Sequence, residues 1–137
     1  MSVSDIEYID FKKDRYSRSR DDNHIFLRNY DPNKEKGNYE IRMNEKITNL
    51  ILSKKVEFVR VARNKITGQK YLVFTKDSSC LPISMPTSKR KVVAIFSKQM
   101  LQCLRNLIGL TEHEQKCWVS EDISNSEDIL TIEIKRA

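Results

Sequence analysis

Two stretches of this chain follow the same order of patterns, and neither is long enough to fold alone. Residues 38–74 and 92–135 each read as strand, short helix, strand, turn and strand. Setting Asn44 against Ser97, an offset of about 53 residues, also matches Met43 with Phe96, Ile47 with Met100 and Ile51 with Leu104. A unit of roughly 40 residues cannot bury enough apolar surface to stand by itself. The two are therefore expected to share one core. The expected fold is α+β, a small barrel or paired antiparallel sheets built from two strand-helix-hairpin repeats with two short helices. The pseudo-repeats span 38–77 and 91–136 within a single compact domain, 38–137, and residues 1–37 are expected to be a loosely attached N-terminal extension.

Local signals support these elements. Asn44 and Ser97 stand where a side-chain oxygen caps the first turn of a helix. In the second helix Met100, Leu104, Leu107 and Ile108 recur on one face, with Gly109 as the left-handed C-cap and Leu110 folding back toward Leu104. The first helix carries Ile47, Leu50 and Ile51 on its buried side. VEFVRVAR, residues 56–63, leads into a hairpin closed by Gly68 at positive φ, with Tyr71–Phe74 returning. Cys117–Ser120 and Ile129–Ile134 form the second hairpin. Between the copies, Pro82 and Pro86 place the chain along a sheet edge before Val92–Phe96 pair centrally. In the extension, His24–Tyr30 reads as a short strand that docks onto the body, ended by Asp31-Pro32-Asn33.

Charge is distributed unevenly. The chain has 137 residues and a formal net charge of +6. Residues 1–37 are neutral, residues 38–110 carry +10 from fourteen basic and four acidic side chains, and residues 111–137 carry −4. A segment at +10 repels itself when compact, and an anionic partner that neutralises several cations at once relieves that repulsion and releases counterions. Nucleic acid is the expected partner; excess Lys that serves solubility or guards sheet edges is the plainer reading. Ser88-Lys-Arg-Lys91, the densest basic run, is either an edge guard or a phosphate clamp. Arg15-Tyr-Ser-Arg-Ser-Arg20 reads as a flexible tail more readily than as a nucleic-acid arm, because Asp14, Asp21 and Asp22 cancel much of its field.

Several chemistries are set aside. Three glycines allow neither G-x-G-x-x-G nor G-x-x-x-x-G-K-[ST]. Cys80, Cys103 and Cys117 contain no C-x-x-C pair, so neither a disulfide framework nor a thiol metal knuckle is expected. His113 and Cys117 lack a second ligand pair. Cys103 reads as a packing residue, and Trp118, Tyr71, Phe58 and Phe74 as core residues of strands. The paired carboxylates Glu121-Asp122 and Glu127-Asp128 read as turn and loop residues. No apolar run reaches a membrane span and no export signal begins the chain; the protein reads as cytoplasmic.

Val92-Val-Ala-Ile-Phe-Ser-Lys98, Leu107-Ile-Gly-Leu110 and the strands that follow resemble AbrB-type, swapped-hairpin barrel transcription regulators. The first copy matches more loosely. Ser97 stands where that family has Pro, and the Gly-Asp before its hairpin is missing. The resemblance implies a barrel from two interleaved motif copies that presents basic residues to DNA, here as a pseudo-dimer within one chain. The expected function is non-enzymatic nucleic-acid binding, with double-stranded DNA in a regulatory role. The alternative is a protein-interaction module, an accessory or inhibitory factor, binding an acidic protein surface. The candidate nucleic-acid-binding residues are Arg42, Lys46, Lys54, Lys55, Arg60, Arg63, Lys65, Lys70, Lys89, Arg90, Lys91 and Lys98. No catalytic residue, metal, cofactor or membrane partner is expected, and the chain is expected to be a monomer or homodimer.

Overall fold

The computed structural model describes residues 22–28 and 39–137. Its elements run β1 (His24–Arg28), β2 (Glu40–Arg42), α1 (Glu45–Lys54), β3 (Phe58–Arg63), β4 (Lys70–Thr75), β5 (Leu81–Pro82), β6 (Ala94–Phe96), α2 (Lys98–Ile108), β7 (Lys116–Asp122) and β8 (Leu130–Arg136). All eight strands join one antiparallel sheet in the order β5-β3-β4-β8-β7-β1-β2-β6. An antiparallel bridge from Ser84, just past β5, to Ala94 in β6 brings the two ends of that order together. The sheet is a nearly closed barrel with two helices, which leaves few strand edges for unwanted pairing.

Alternation along the strands sets the inside. Ile25, Leu27, Ile41, Ile95, Cys117, Val119, Ile132 and Ile134 point inward and are buried. Ile47 and Ile51 of α1 and Leu101 and Leu104 of α2 join the same apolar cluster. Both caps form as expected: Asn44 accepts from the Ile47 amide at 2.8 Å and Ser97 from the Met100 amide at 3.1 Å. Gly109 (φ 72) ends α2 in the left-handed conformation, while Lys55 (φ 56) takes that role for α1 without glycine's freedom. Gly68 (φ 77) closes the β3–β4 hairpin, where Asn64 also accepts from the Ile66 and Thr67 amides.

Several elements differ from expectation. β1 docks onto the body as the His24–Tyr30 reading has it, but within the sheet, between β2 and β7, with Ile25 and Leu27 buried. The short segment is held because its first half pairs with β7 and its second half with β2, and its apolar residues complete the interior. β6 pairs with β2 and makes the closing bridge instead of lying centrally. On α2 the buried residues are Leu101, Leu104 and Arg105, with Met100, Leu107 and Ile108 half-buried at the margins. Arg105 enters the interior because its guanidinium donates to the Thr111 and Glu114 carbonyls. Cys103 is exposed. Met43 is buried while Phe96 is 46% exposed, so the aligned pair has opposite roles. The Arg15–Arg20 stretch and the Asp31-Pro32-Asn33 turn lie outside the described residues.

Asn44 does more than cap α1, since its amide Nδ2 also donates to the His24 carbonyl at 3.0 Å and so ties the helix to β1. Asn44→Ala is expected to destabilise the fold by about 1–2 kcal/mol. In thermal unfolding this is a fall of roughly 3–8 °C, whereas an unchanged midpoint would show that neither bond matters.

Candidate nucleic-acid interface

Inward-pointing apolar residues on β1 and β2 force their neighbours outward. Phe26 pairs with Arg42 and Arg28 with Glu40, and all four stand on the outer face. The chain between β5 and β6 folds over this face. It is held by Arg90, whose Nε donates to the Val92 carbonyl at 2.9 Å and whose Nη2 donates to Ser84 Oγ at 2.8 Å and the Met85 carbonyl at 2.7 Å. Thr87 tightens the turn, its hydroxyl accepting from the Lys89 and Arg90 amides. Between loop and sheet lies an open groove of about 550 Å³ lined by Phe26, Arg28, Glu40, Arg42, Lys89 and Lys91 among others.

Five cations surround the groove: Arg28, Arg42, Lys89, Arg90 and Lys91. Its one carboxylate, Glu40, is buried and accepts from Arg42 Nε at 2.6 Å. Among the described residues, Arg28, Lys89 and Lys91 make no ion pair. A concave surface lined by one sign of charge concentrates its field in the opening. Phosphate oxygens are the natural complement to such a groove. Arg90 is thus chiefly an anchor of the loop, and the flanking lysines are the free charges of the Ser88–Lys91 run.

The other candidate cations lie elsewhere. Lys46 pairs with Glu121 at 2.9 Å, and Lys54 pairs with Asp122. Lys76 pairs with Asp128 in the same way. The basic middle of the chain and its acidic end therefore neutralise one another where α1 and the β4 end meet the β7–β8 hairpin. Burial would raise the Asp122 carboxyl, but bonds from Lys54, from the Ser124 hydroxyl and amide and from the Thr131 amide outweigh it and hold the group below its ordinary value of 3.8. The Lys76 ammonium likewise lowers Asp128. Arg60, Arg63, Lys65 and Lys70 ride on the β3–β4 hairpin, which the strand order puts across the barrel from β1 and β2. Lys55 ends α1, and Lys98, on the first turn of α2, lies 5.3 Å from the Tyr39 ring. The twelve candidates do not share one surface; Arg42, Lys89, Arg90 and Lys91 do.

Residues not singled out from sequence complete this face. Phe26 and Arg28 alternate with buried Ile25 and Leu27 in HIFLR, and that alternation is the signal that placed them outward. Phe74 is buried as expected, but Trp118 faces out, half-buried, with Lys135 Nζ 4.9 Å from its ring. Phe58 and Tyr71 are half-buried. Cys117 lies on the inner face, where burial pushes its thiol up to about 12, so it is a neutral packing group. Among the described residues no three His, Cys, Asp or Glu side chains are grouped as metal ligands, and no helix is long and apolar enough to cross a membrane. Comparison with known proteins found no family model, no curated protein and no solved structure that matches the chain.

Proposed function

We propose that the protein is a non-enzymatic nucleic-acid-binding factor, a DNA-binding regulator acting in the cytoplasm, whose contact surface is the groove between β1–β2 and the 84–92 loop. The observation that carries this reading is the gathering of Arg28, Arg42, Lys89, Arg90 and Lys91 around one opening whose single acid is already paired. Phosphates in that opening would meet Arg28, Lys89 and Lys91, which make no ion pair among the described residues. The loop is pinned by Arg90, so Lys89 and Lys91 are presented without much ordering cost on binding.

We also read the expected pseudo-repeats, 38–77 and 91–136, as two copies of one unit arranged as the AbrB-type resemblance implies, each preceded by one further strand, β1 and β5, that lies outside those bounds. Exchanging the units leaves the order of strands around the barrel unchanged. Equivalent strands pair with each other at β2–β6 and at β4–β8. The two helices begin with equivalent caps.

Titration of a labelled oligonucleotide against salt tests the binding reading. Neutralising three to five phosphates predicts that log affinity falls linearly with log salt, with a slope of roughly −2 to −4.5. A flat response, or no binding at low salt, would reject the groove as a nucleic-acid site and leave the protein-interaction module.

A further inference from the structure

Among the described residues, the outer face of β7, β1, β2 and β6 sets the two most exposed phenylalanines, Phe26 and Phe96, beside Trp118 and the groove cations. We infer that its ligand is a single strand of nucleic acid, laid across these strands with bases on the rings and phosphates on the cations. This deepens the proposed function and rests on it. It departs from the double-stranded expectation.

The placement follows from register. Trp118 sits opposite His24 and Lys116 opposite Phe26, with the inward pair Ile25 and Cys117 between them. Phe26 continues to Arg42 on β2, and Arg28 through Glu40 to Phe96 on β6. Strands lie about 4.8 Å apart. Trp118 and Phe26 are therefore diagonal neighbours on adjacent strands, and Phe96 lies two strands beyond Phe26 and two residues along, roughly 12 Å away. Phe26 and Phe96 are 36% and 46% exposed, the two most exposed large apolar side chains among the described strands. Each ring has a cation close by: Lys135 lies over one face of the Trp118 ring at 4.9 Å and Arg90 over one face of the Phe96 ring at 5.2 Å, which leaves the opposite faces for bases, while Arg42 and Lys116 flank Phe26 in the ladder.

A duplex hides the faces of its bases, so exposed rings add little to its binding beyond contact area. A single strand offers every base face, and stacking is tolerant of sequence because each base has one. Rings spaced across a sheet and interleaved with Lys and Arg thus match an unpaired strand better than a double helix. The anionic backbone supplies the charge complement, and the bases supply the apolar one.

Trp118 is the only tryptophan in the chain, so its fluorescence reports on this face directly. The full-length protein would be titrated with oligo(dT), oligo(rU) and a duplex of equal length at one salt concentration. The expected result is saturable quenching by the single strands, with affinity at least about tenfold above the duplex. Phe26→Ala and Phe96→Ala, each made separately because both side chains lie outside the core, are expected to weaken single-strand binding by roughly 5- to 150-fold. Duplex binding as tight as single-strand binding, binding without quenching, or unchanged affinity in both variants would overturn this inference while leaving the nucleic-acid reading in place. No binding of any of the three probes would overturn both.

Discussion

Lys54→Met is expected to lower the stability of the protein by about 3 kcal/mol at neutral pH, a fall of roughly 10 °C in thermal midpoint. The side chain reaches from the last turn of α1 into the β7–β8 hairpin, where its three N–H donors are shared among Asp122 Oδ2, Ser124 Oγ and the carbonyls of Ser126 and Ile129. Both charged side chains are about 15% exposed. Methionine keeps the bulk of the stem but leaves a mostly buried carboxylate without its cation and takes the ammonium donor from the Ser126 and Ile129 carbonyls, the second of which the Ser124 hydroxyl still reaches. The pH dependence has a definite sign. Asp122 titrates lower in the folded protein than its ordinary value, so its stabilising contribution is complete above about pH 4–5 and is lost as pH falls through the folded value. The gap between wild type and variant is therefore expected to be widest near pH 7 and to narrow below pH 4. A constant gap across that range would show that the loss comes from packing and not from charge.

This same pair illustrates which features sequence made legible and which it did not. Features fixed by neighbours in the chain were readable: the Asn44 and Ser97 caps, the positive φ of Gly68 and Gly109, and the two hairpins depend on residues only a few positions apart. Partnership of Lys46 with Glu121 and of Lys54 with Asp122 joins residues 75 and 68 positions apart and follows from which strands meet, which composition does not encode. The segmental charge count therefore overstated the free positive surface. The place of β1 was hidden for a similar reason. Five residues of alternating pattern signal a strand, but only the register with β2 and β7 turns Phe26 and Arg28 toward the groove. Trp118 was misread because an aromatic residue in a strand is more often core, while its parity is set by its neighbour Cys117 pointing inward. Of the basic run before β6, the sequence pattern located the cluster, and only the fold separated Arg90 as anchor from Lys89 and Lys91 as free charges.

Arg28, Lys89 and Lys91 make no internal ion pair among the described residues, so replacing all three by Ala is expected to leave the fold intact and remove only what faces the ligand. A cation and a phosphate about 4 Å apart in water interact by about 1 kcal/mol. Three such pairs amount to about 3 kcal/mol, on the order of a hundredfold in affinity. The matching triple replacement on the opposite hairpin, Arg63, Lys65 and Lys70 to Ala, removes the same net charge and controls for it. The decisive measurement compares oligonucleotide affinity and its salt dependence for wild type and these two triple variants. The groove variant is predicted to lose about a hundredfold in affinity at low salt and two to three units of slope, with the hairpin variant close to wild type. Equal losses in the two variants, or a loss confined to the hairpin, would contradict the assignment of the groove as the contact surface.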